Sequence, residues 1–185
     1  MMLRQMLESF LRPADPAAKE RSKVPPKAAP AGPAPAAEID HDARLIGQLR
    51  LHEGERERAY RDSEGYLSIG VGRNLDAKGL RRDEIDYLLA NDIADARREL
   101  DRYLPWWRGL DPVRQRVLID MMFNMGPGAP GRGGLLSFVN TLSEIRRGNY
   151  GIAADMMLAS KWAQQVGRRA VRLATMMRTG MDYAE

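Results

Sequence analysis

The sequence predicts an α+β fold, with one helix leading into a small β-hairpin and a larger set of helices after it. Arg56 to Val71 holds two β-rich stretches on either side of Ser63-Glu64-Gly65, a composition suited to a turn. From Arg82 onward, apolar residues recur at helical spacing. Pro13 to Ala37 is dominated by Pro and Ala and sets the first dozen residues apart from the rest.

In chain order, Met2 to Leu11 reads as a short amphipathic helix, with Leu3, Met6, Leu7, Phe10 and Leu11 on one stripe. So short a helix is marginal alone in water, so the stripe is expected to pack on its own domain, a partner protein or a membrane surface. A protein contact ranks first, because Arg4, Glu8 and Arg12 mix both charges on the polar face. The Pro/Ala-rich stretch cannot bury a core and tends toward extended polyproline conformations, which suggests a tether. The expected organisation is a helix over residues 1–12, a linker over 13–39 and a folded domain over 40–185.

Asp40 or Asp42 can cap the next helix, whose apolar face is Leu45, Ile46 and Leu49. It should stop at Glu53, because Gly54 suits a left-handed cap. A first strand, Arg56 to Arg61, ends at Asp62, nine positions beyond Glu53 (62 − 53). The returning strand, Tyr66 to Val71, carries Ser68, and Gly70 and Gly72 thin out its end. RNLDAKGL then reads as a short connection, giving a β part of two or three strands.

Arg82 to Tyr103 reads as one long helix with the stripe Ile85, Leu88, Leu89, Ile93, Ala96 and Leu100. Pro105-Trp106-Trp107 breaks it, and packing is favoured over sugar stacking for the tryptophans. Asp111-Pro112 is a cap followed by a first-position proline, and Val113, Val117, Leu118, Met121, Met122 and Met125 follow at helical spacing until Gly126. The methionines mean adaptable packing, not a cofactor site. GPGAPGRGG, residues 126–134, is flexible by composition and could border a substrate. Leu135 to Arg147, Ile152 to Ser160 and a stretch opened by Arg168, Arg169 and Arg172 complete the helices.

Composition narrows the function. The 185 residues carry a net charge of +4 and no cysteine, so there is no disulfide framework and a structural zinc site is not expected. His41 and His52 stand too far apart for a compact local metal motif. A basic chain suits an anionic partner, yet its Lys and Arg are interspersed with Asp and Glu and no nucleic-acid motif is present. No apolar run is long enough to span a bilayer. Arg4, Gln5, Glu8 and Ser9 interrupt what would be the core of a secretory signal.

The helix-end Glu53, the strand-end Asp62 and the hydroxyl of Ser68 fall close together in this scheme. Two carboxylates on one cleft suit cleavage of a glycosidic bond: one donates a proton to the leaving oxygen, the other directs a water or supports the growing positive charge. Partial burial of Glu53 would favour its un-ionised form, and a wetter Asp62 would stay charged.

Glu53-Gly54, Tyr60-x-Asp62 and Gly65-Tyr66-x-Ser68-Ile69-Gly70-x-Gly72 resemble the active-site run of the phage-type lysozymes. Further on, DEIDYLLANDI, Phe123-Asn124-Met125-Gly126, Ser160-Lys161-Trp162 and Arg178-Thr179-Gly180 follow in the family's order. The resemblance covers about Asp40 to Tyr183. It implies a two-lobed fold, a small β lobe and a larger helical lobe joined by a long helix, with substrate between them. It implies cofactor-free and metal-free hydrolysis of the β-1,4 bond between N-acetylmuramic acid and N-acetylglucosamine in peptidoglycan, with inversion. Carried over by position, Glu53 is the acid, Asp62 the second carboxylate, and Ser68 stands where the family has Thr. Ser keeps the hydroxyl but loses the methyl group that stiffens χ1. Asn124 is a candidate for an acetamido group or for a helix-end cap, Arg73 falls at a His/Arg position, Arg169 should reach Glu53, and Trp162 should anchor the large lobe. The Ser departure keeps a non-catalytic wall-binding or virion protein in view. A lytic transglycosylase is disfavoured by the intact Asp62. The leading helix suits docking on a virion, whereas a free enzyme without a signal would reach the wall through a membrane pore.

Overall fold

The computed structural model describes residues 36–183, with side chains from His41 onward. The expected helix Met2 to Leu11 and most of the expected linker lie outside the described residues. The chain divides between Lys78 and Gly79 into two compact units.

The first unit opens with α1 (Ala36–Glu53). It already includes Ala36, ahead of the expected start near Asp40, and Ala36, Ala37 and Glu38 are strong helix formers. Asp40 and Asp42 therefore lie inside the helix and are not its caps. The helix ends as expected at Glu53: Gly54 has φ +74° and its N–H donates to the carbonyl of Arg50 at 3.0 Å. Strands β1 (Arg56–Arg61), β2 (Leu67–Gly70) and β3 (Arg73–Asn74) form an antiparallel sheet in that order. β2 is shorter than the expected Tyr66 to Val71, because Tyr66 belongs to the turn and Gly70 and Gly72 take positive φ on either side of Val71. The expected plain connection RNLDAKGL instead supplies β3 and a one-turn helix, α2 (Leu75–Lys78), whose first turn is capped by Asn74 Oδ1 accepting from the N–H of Ala77 at 2.8 Å.

The second unit is helical. α3 (Arg82–Tyr103) has the expected bounds, with Glu84 accepting from the N–H of Arg81 at its start. Its expected stripe is buried only in its later part: Ala96 and Leu100 are buried, whereas Ile85, Leu88 and Leu89 are exposed. After a 3-10 turn at Pro105–Gly109 come α4 (Pro112–Met125), α5 (Val139–Arg147), α6 (Tyr150–Leu158), α7 (Lys161–Val166) and α8 (Arg168–Thr179). α6 packs on α5 and α8, and α4 on α3 and α8. The core joins Leu100, Trp107, Val117, Leu118, Met121, Leu135, Ile145, Met157 and Met177. Trp107 is a core residue, and its indole N–H donates to Asp101 Oδ1 at 2.8 Å.

The expected helix Leu135 to Arg147 is split. A 3-10 turn, Leu135–Ser137, comes first, held by the Ser137 hydroxyl donating to the carbonyl of Gly134 at 2.7 Å. Phe138 then leaves the helical region and sets its ring edge-on to Trp162, with centroids 6.0 Å apart. Ser160 does not end α6. Its Oγ accepts from the N–H of Ala163 and caps α7. The loop 126–134 is not slack either. Four backbone hydrogen bonds pin it: Ala129 to Gly133, Arg132 to Ala129, Leu135 to Gly126 and Leu136 to Pro127, donor first. The chain crosses itself so closely that a Cβ on Gly128 or Gly134 would overlap the other strand's backbone.

Arg114 links α4 to α8. Its Nη1 donates to Asp111 Oδ2 at 2.6 Å, its Nε to the carbonyl of Met177 at 2.8 Å, and it lies over the Tyr150 ring at 3.7 Å. Asp111 also accepts from the N–H groups of Val113 and Arg114, as the sequence-predicted cap of α4. Burial pushes the Asp111 carboxyl upward, but the bonds and charge of Arg114 and the two backbone donors outweigh it and hold it below the usual carboxylate range. No helix among the described residues is long and apolar enough to cross a membrane.

Candidate active site

Asp62 directly follows β1, and the hairpin turn is built around its side chain. Oδ1 accepts from the N–H groups of Glu64 at 3.0 Å and Tyr66 at 2.9 Å. Its backbone N–H donates to Tyr66, and its carbonyl accepts from Gly65. One carboxylate oxygen is thus committed to the turn. The other, Oδ2, accepts from the Ser68 hydroxyl at 3.5 Å, at the outer limit of a hydrogen bond. Ser68 is buried on β2, opposite Tyr60 on β1 and Asn74 on β3. Asp62 and Ser68 are therefore brought together as the sequence suggested.

Two further contacts hold this end of the sheet. Arg61 Nη1 donates to the carbonyl of Gly65 at 2.7 Å, and Asp76 Oδ2 on α2 accepts from the N–H of Leu67 at 2.9 Å. Sequence reasoning passed over Asp76, because nothing in RNLDAKGL marks one of its side chains as a partner for the start of β2.

Glu53 occupies the end of α1, against the turn between β2 and β3. A Cβ built on Gly72 would lie 3.2 Å from Glu53 Oε2 and 3.7 Å from its Cβ and Cδ. The expected partial burial is not found: Glu53 is exposed, because the residues around the helix end, Leu51 to Glu55, are all exposed. β1 is irregular between its ends. Arg56 pairs with Gly70 and Tyr60 with Ser68, so four steps on β1 (60 − 56) face two on β2 (70 − 68). Such a bulge draws the Asp62 end back along the sheet toward the α1 end by two residues' rise, about 7 Å. Arg73, beside Gly72, pairs with Ile69 and is half-buried.

The other two predicted site residues belong to the helical unit. Arg169 donates from Nε to Asp120 Oδ1 at 2.8 Å and from Nη2 to the carbonyl of Asp120 at 3.4 Å. Within the helical unit, the carboxylate it reaches is Asp120 on α4. Asn124 is not the cap of α4, since the N–H of Gly126 bonds to Met122 instead. Asn124 Oδ1 accepts from the Trp162 indole N–H at 2.9 Å. An indole nitrogen can only donate, so this bond fixes the amide's orientation and leaves Nδ2 as the donor it presents. Trp162 is buried, as expected of an anchor, and its ring helps line a cavity of about 620 Å³ with Met125, Phe138, Val139, Met156 and Lys161. Folding gathers these residues from separate segments: Met125, Lys161 and Trp162 belong to the two short motifs noted in the sequence, whereas no local pattern marks Phe138, Val139 and Met156 as their partners.

Compared with known families, residues 50–178 match the phage lysozyme model. That stretch contains every residue singled out above as a candidate for the site. The pre-baseplate central spike protein Gp5 of Enterobacteria phage T4 is 27% identical over 164 residues, 74% of this chain and 28% of that protein. A Dictyostelium discoideum protein described as probable T4-type lysozyme 1 is 26% identical over 161 residues, 71% of this chain and 92% of that protein. The chain thus spans little more than a quarter of the first relative and nearly all of the second. The hairpin built on Asp62, the helix end at Glu53 and the bonded pair Asn124 and Trp162 all fall inside the matched stretch, and the chain belongs to the phage lysozyme family.

Proposed function

We propose that this protein is a peptidoglycan hydrolase that cuts the β-1,4 bond between N-acetylmuramic acid and N-acetylglucosamine. The observation that carries the reading is Asp62, whose Oδ1 is locked to two turn amides while Oδ2 faces the Ser68 hydroxyl, in the same small sheet whose far turn meets Glu53. Family membership supports it.

In this mechanism Glu53 gives a proton to the glycosidic oxygen as the bond from the anomeric carbon breaks. A water held by Asp62 Oδ2 and Ser68 Oγ attacks that carbon from the opposite face, and Asp62 takes the water's proton. Direct displacement inverts the anomeric configuration. Asn124 offers Nδ2 to an acetamido carbonyl, and Arg73 and Arg169 are substrate-binding cations suited to the carboxylates of the lactyl and peptide groups. The chemistry needs no cofactor.

NMR of the first product from purified glycan strands tests the scheme. The α anomer is expected. A β anomer overturns direct displacement, and anhydro-muramic ends indicate a transglycosylase instead. Glu53→Gln should abolish product release, and retained turnover overturns the acid assignment.

A second reading, a wall-binding or virion structural protein with a degenerate site, is favoured by Ser68 at the Thr position and by the likeness to a spike protein. Loss of turbidity of permeabilised bacteria distinguishes the two, since binding without clearing supports the structural role. For the setting, we place the protein with a bacteriophage, mounted on the virion through residues 1–12 and the 13–39 linker or released from the host cytoplasm to the wall. Removing Met1 to Ala37 should leave lysis intact and, for a mounted enzyme, prevent incorporation into particles.

A further inference from the structure

We infer that Gly72 is a positioning residue for the acid: its bare α-carbon leaves the space that the Glu53 carboxyl occupies. The inference rests on the reading of Glu53 as the proton donor. Glu53 is the last residue of α1 and is exposed, so few neighbours restrict where its carboxyl points. The turn between β2 and β3 is one surface that meets it. A methyl group at position 72 would stand 3.2 Å from Oε2, a separation tighter than ordinary van der Waals contact, and 3.7 Å from Cδ. The carboxyl would swing away by a few tenths of an ångström or change rotamer. A general acid must stand within hydrogen-bond reach of the oxygen it protonates, and small misplacements at a reacting centre are costly in rate.

The same turn supplies a matched control. Gly70 has φ +64° and Gly72 has φ +67°, so a side chain at either position is strained by a positive φ of similar size. A Cβ on Gly70, however, has nothing within 4 Å. Gly70→Ala therefore reports the strain alone, and Gly72→Ala reports the strain plus the displaced carboxyl.

The experiment compares both variants and Glu53→Gln in the full chain. It uses steady-state kinetics on glycan strands, thermal unfolding, and the 13C resonance of the Glu53 side-chain carboxyl. Both glycine variants should lose similar amounts of melting temperature. Gly72→Ala should lower kcat about 10-fold with KM nearly unchanged and should shift the Glu53 resonance, whereas Gly70→Ala should stay within about 2-fold and leave the resonance in place. Equal kinetics and equal resonances in the two glycine variants, with Glu53→Gln inactive, overturn the inference and leave the acid assignment standing. A Gly72→Ala protein that fails to fold where Gly70→Ala folds also overturns it, because Gly72 would then serve the fold. Activity retained in Glu53→Gln removes the acid assignment and this inference together.

Discussion

From Gly79 onward the described chain buries nineteen apolar side chains; from His41 to Lys78 the only buried side chain is that of Ser68. The helical unit is held by area removed from water. The hairpin unit is held by directed bonds: Asp62 to the amides of Glu64 and Tyr66, Asp76 to Leu67, Arg61 to Gly65. Each such bond contributes on the order of 1 kcal/mol net, because water competes for both partners. The contrast teaches where substitutions should register. On the proposed mechanism, side chains in the hairpin unit set the positions of reacting groups and add little to stability. In the helical unit, side chains carry the stability and touch the chemistry at few points.

Glu53→Gln is the largest test of that division. It keeps shape and hydrogen-bonding capacity at an exposed helix end but removes the proposed proton donor. Hydrolysis should fall on the order of 10³-fold while the melting temperature moves by about 1 °C or less. A large loss of stability would mean that the helix-end carboxyl belongs to the fold.

Leu100→Ala should show the reverse. Leu100 is fully buried between α3 and the core. Truncation should cost about 2–5 kcal/mol, or roughly 10 °C in a chain of this size, with kcat at low temperature nearly unchanged. Thermal unfolding followed by circular dichroism, with turnover measured on the same sample, decides it. Loss of kcat without loss of melting temperature would break the comparison.

The same contrast explains what could be read from the chain in advance. α3 and β1 have their expected bounds, because an apolar period of 3.6 and a β-rich run closed by a turn are local signals. The stops at Gly54 and Gly126 and the cap at Asp111 were equally legible, since each depends on one residue's backbone or side-chain preference. What was not legible depended on partners distant in sequence. Arg169 turned out to reach Asp120, 49 positions away, and Trp162 to orient Asn124, 38 positions away. The tight crossing of Gly128 and Gly134 reads as slack loop until the two strands are seen in contact. Asp40 and Asp42 read as caps by residue type, yet three helix formers stand ahead of them and α1 includes all five.

A smaller effect is expected at Asp111. Its carboxyl is held below the usual range, so its contribution is present above the unfolded value, about 3.9, and is lost as pH falls through the lower folded value. Asp111→Ala should cost about 0.5–2 kcal/mol at neutral pH, the usual worth of a helix cap. Below about pH 4 the wild type should lose stability more steeply than the variant, so the two curves converge. Parallel denaturant titrations from pH 7 to pH 2 check this, and curves that stay parallel would remove Asp111 as a source of acid sensitivity.

The smallest effect concerns Ser68, where the two units' rules meet in one residue. It is buried like a core residue yet bonds through its hydroxyl to Asp62, the proposed second carboxylate. Ser68→Thr restores the branch that limits χ1 to fewer rotamers and suits a strand. Against this, a buried methyl group needs room, and overpacking a tight site costs about 1–3 kcal/mol. The rest of β2 is only half-buried, and its sheet has three short strands, so the neighbours can yield where a dense core could not. The rotamer effect should therefore prevail. The expected result is a kcat raised about 2- to 3-fold, with a melting temperature within about 2 °C of the wild type. A fall in kcat together with lost stability would show that Ser68 is governed by packing, and that the hairpin unit has one position with the character of a core.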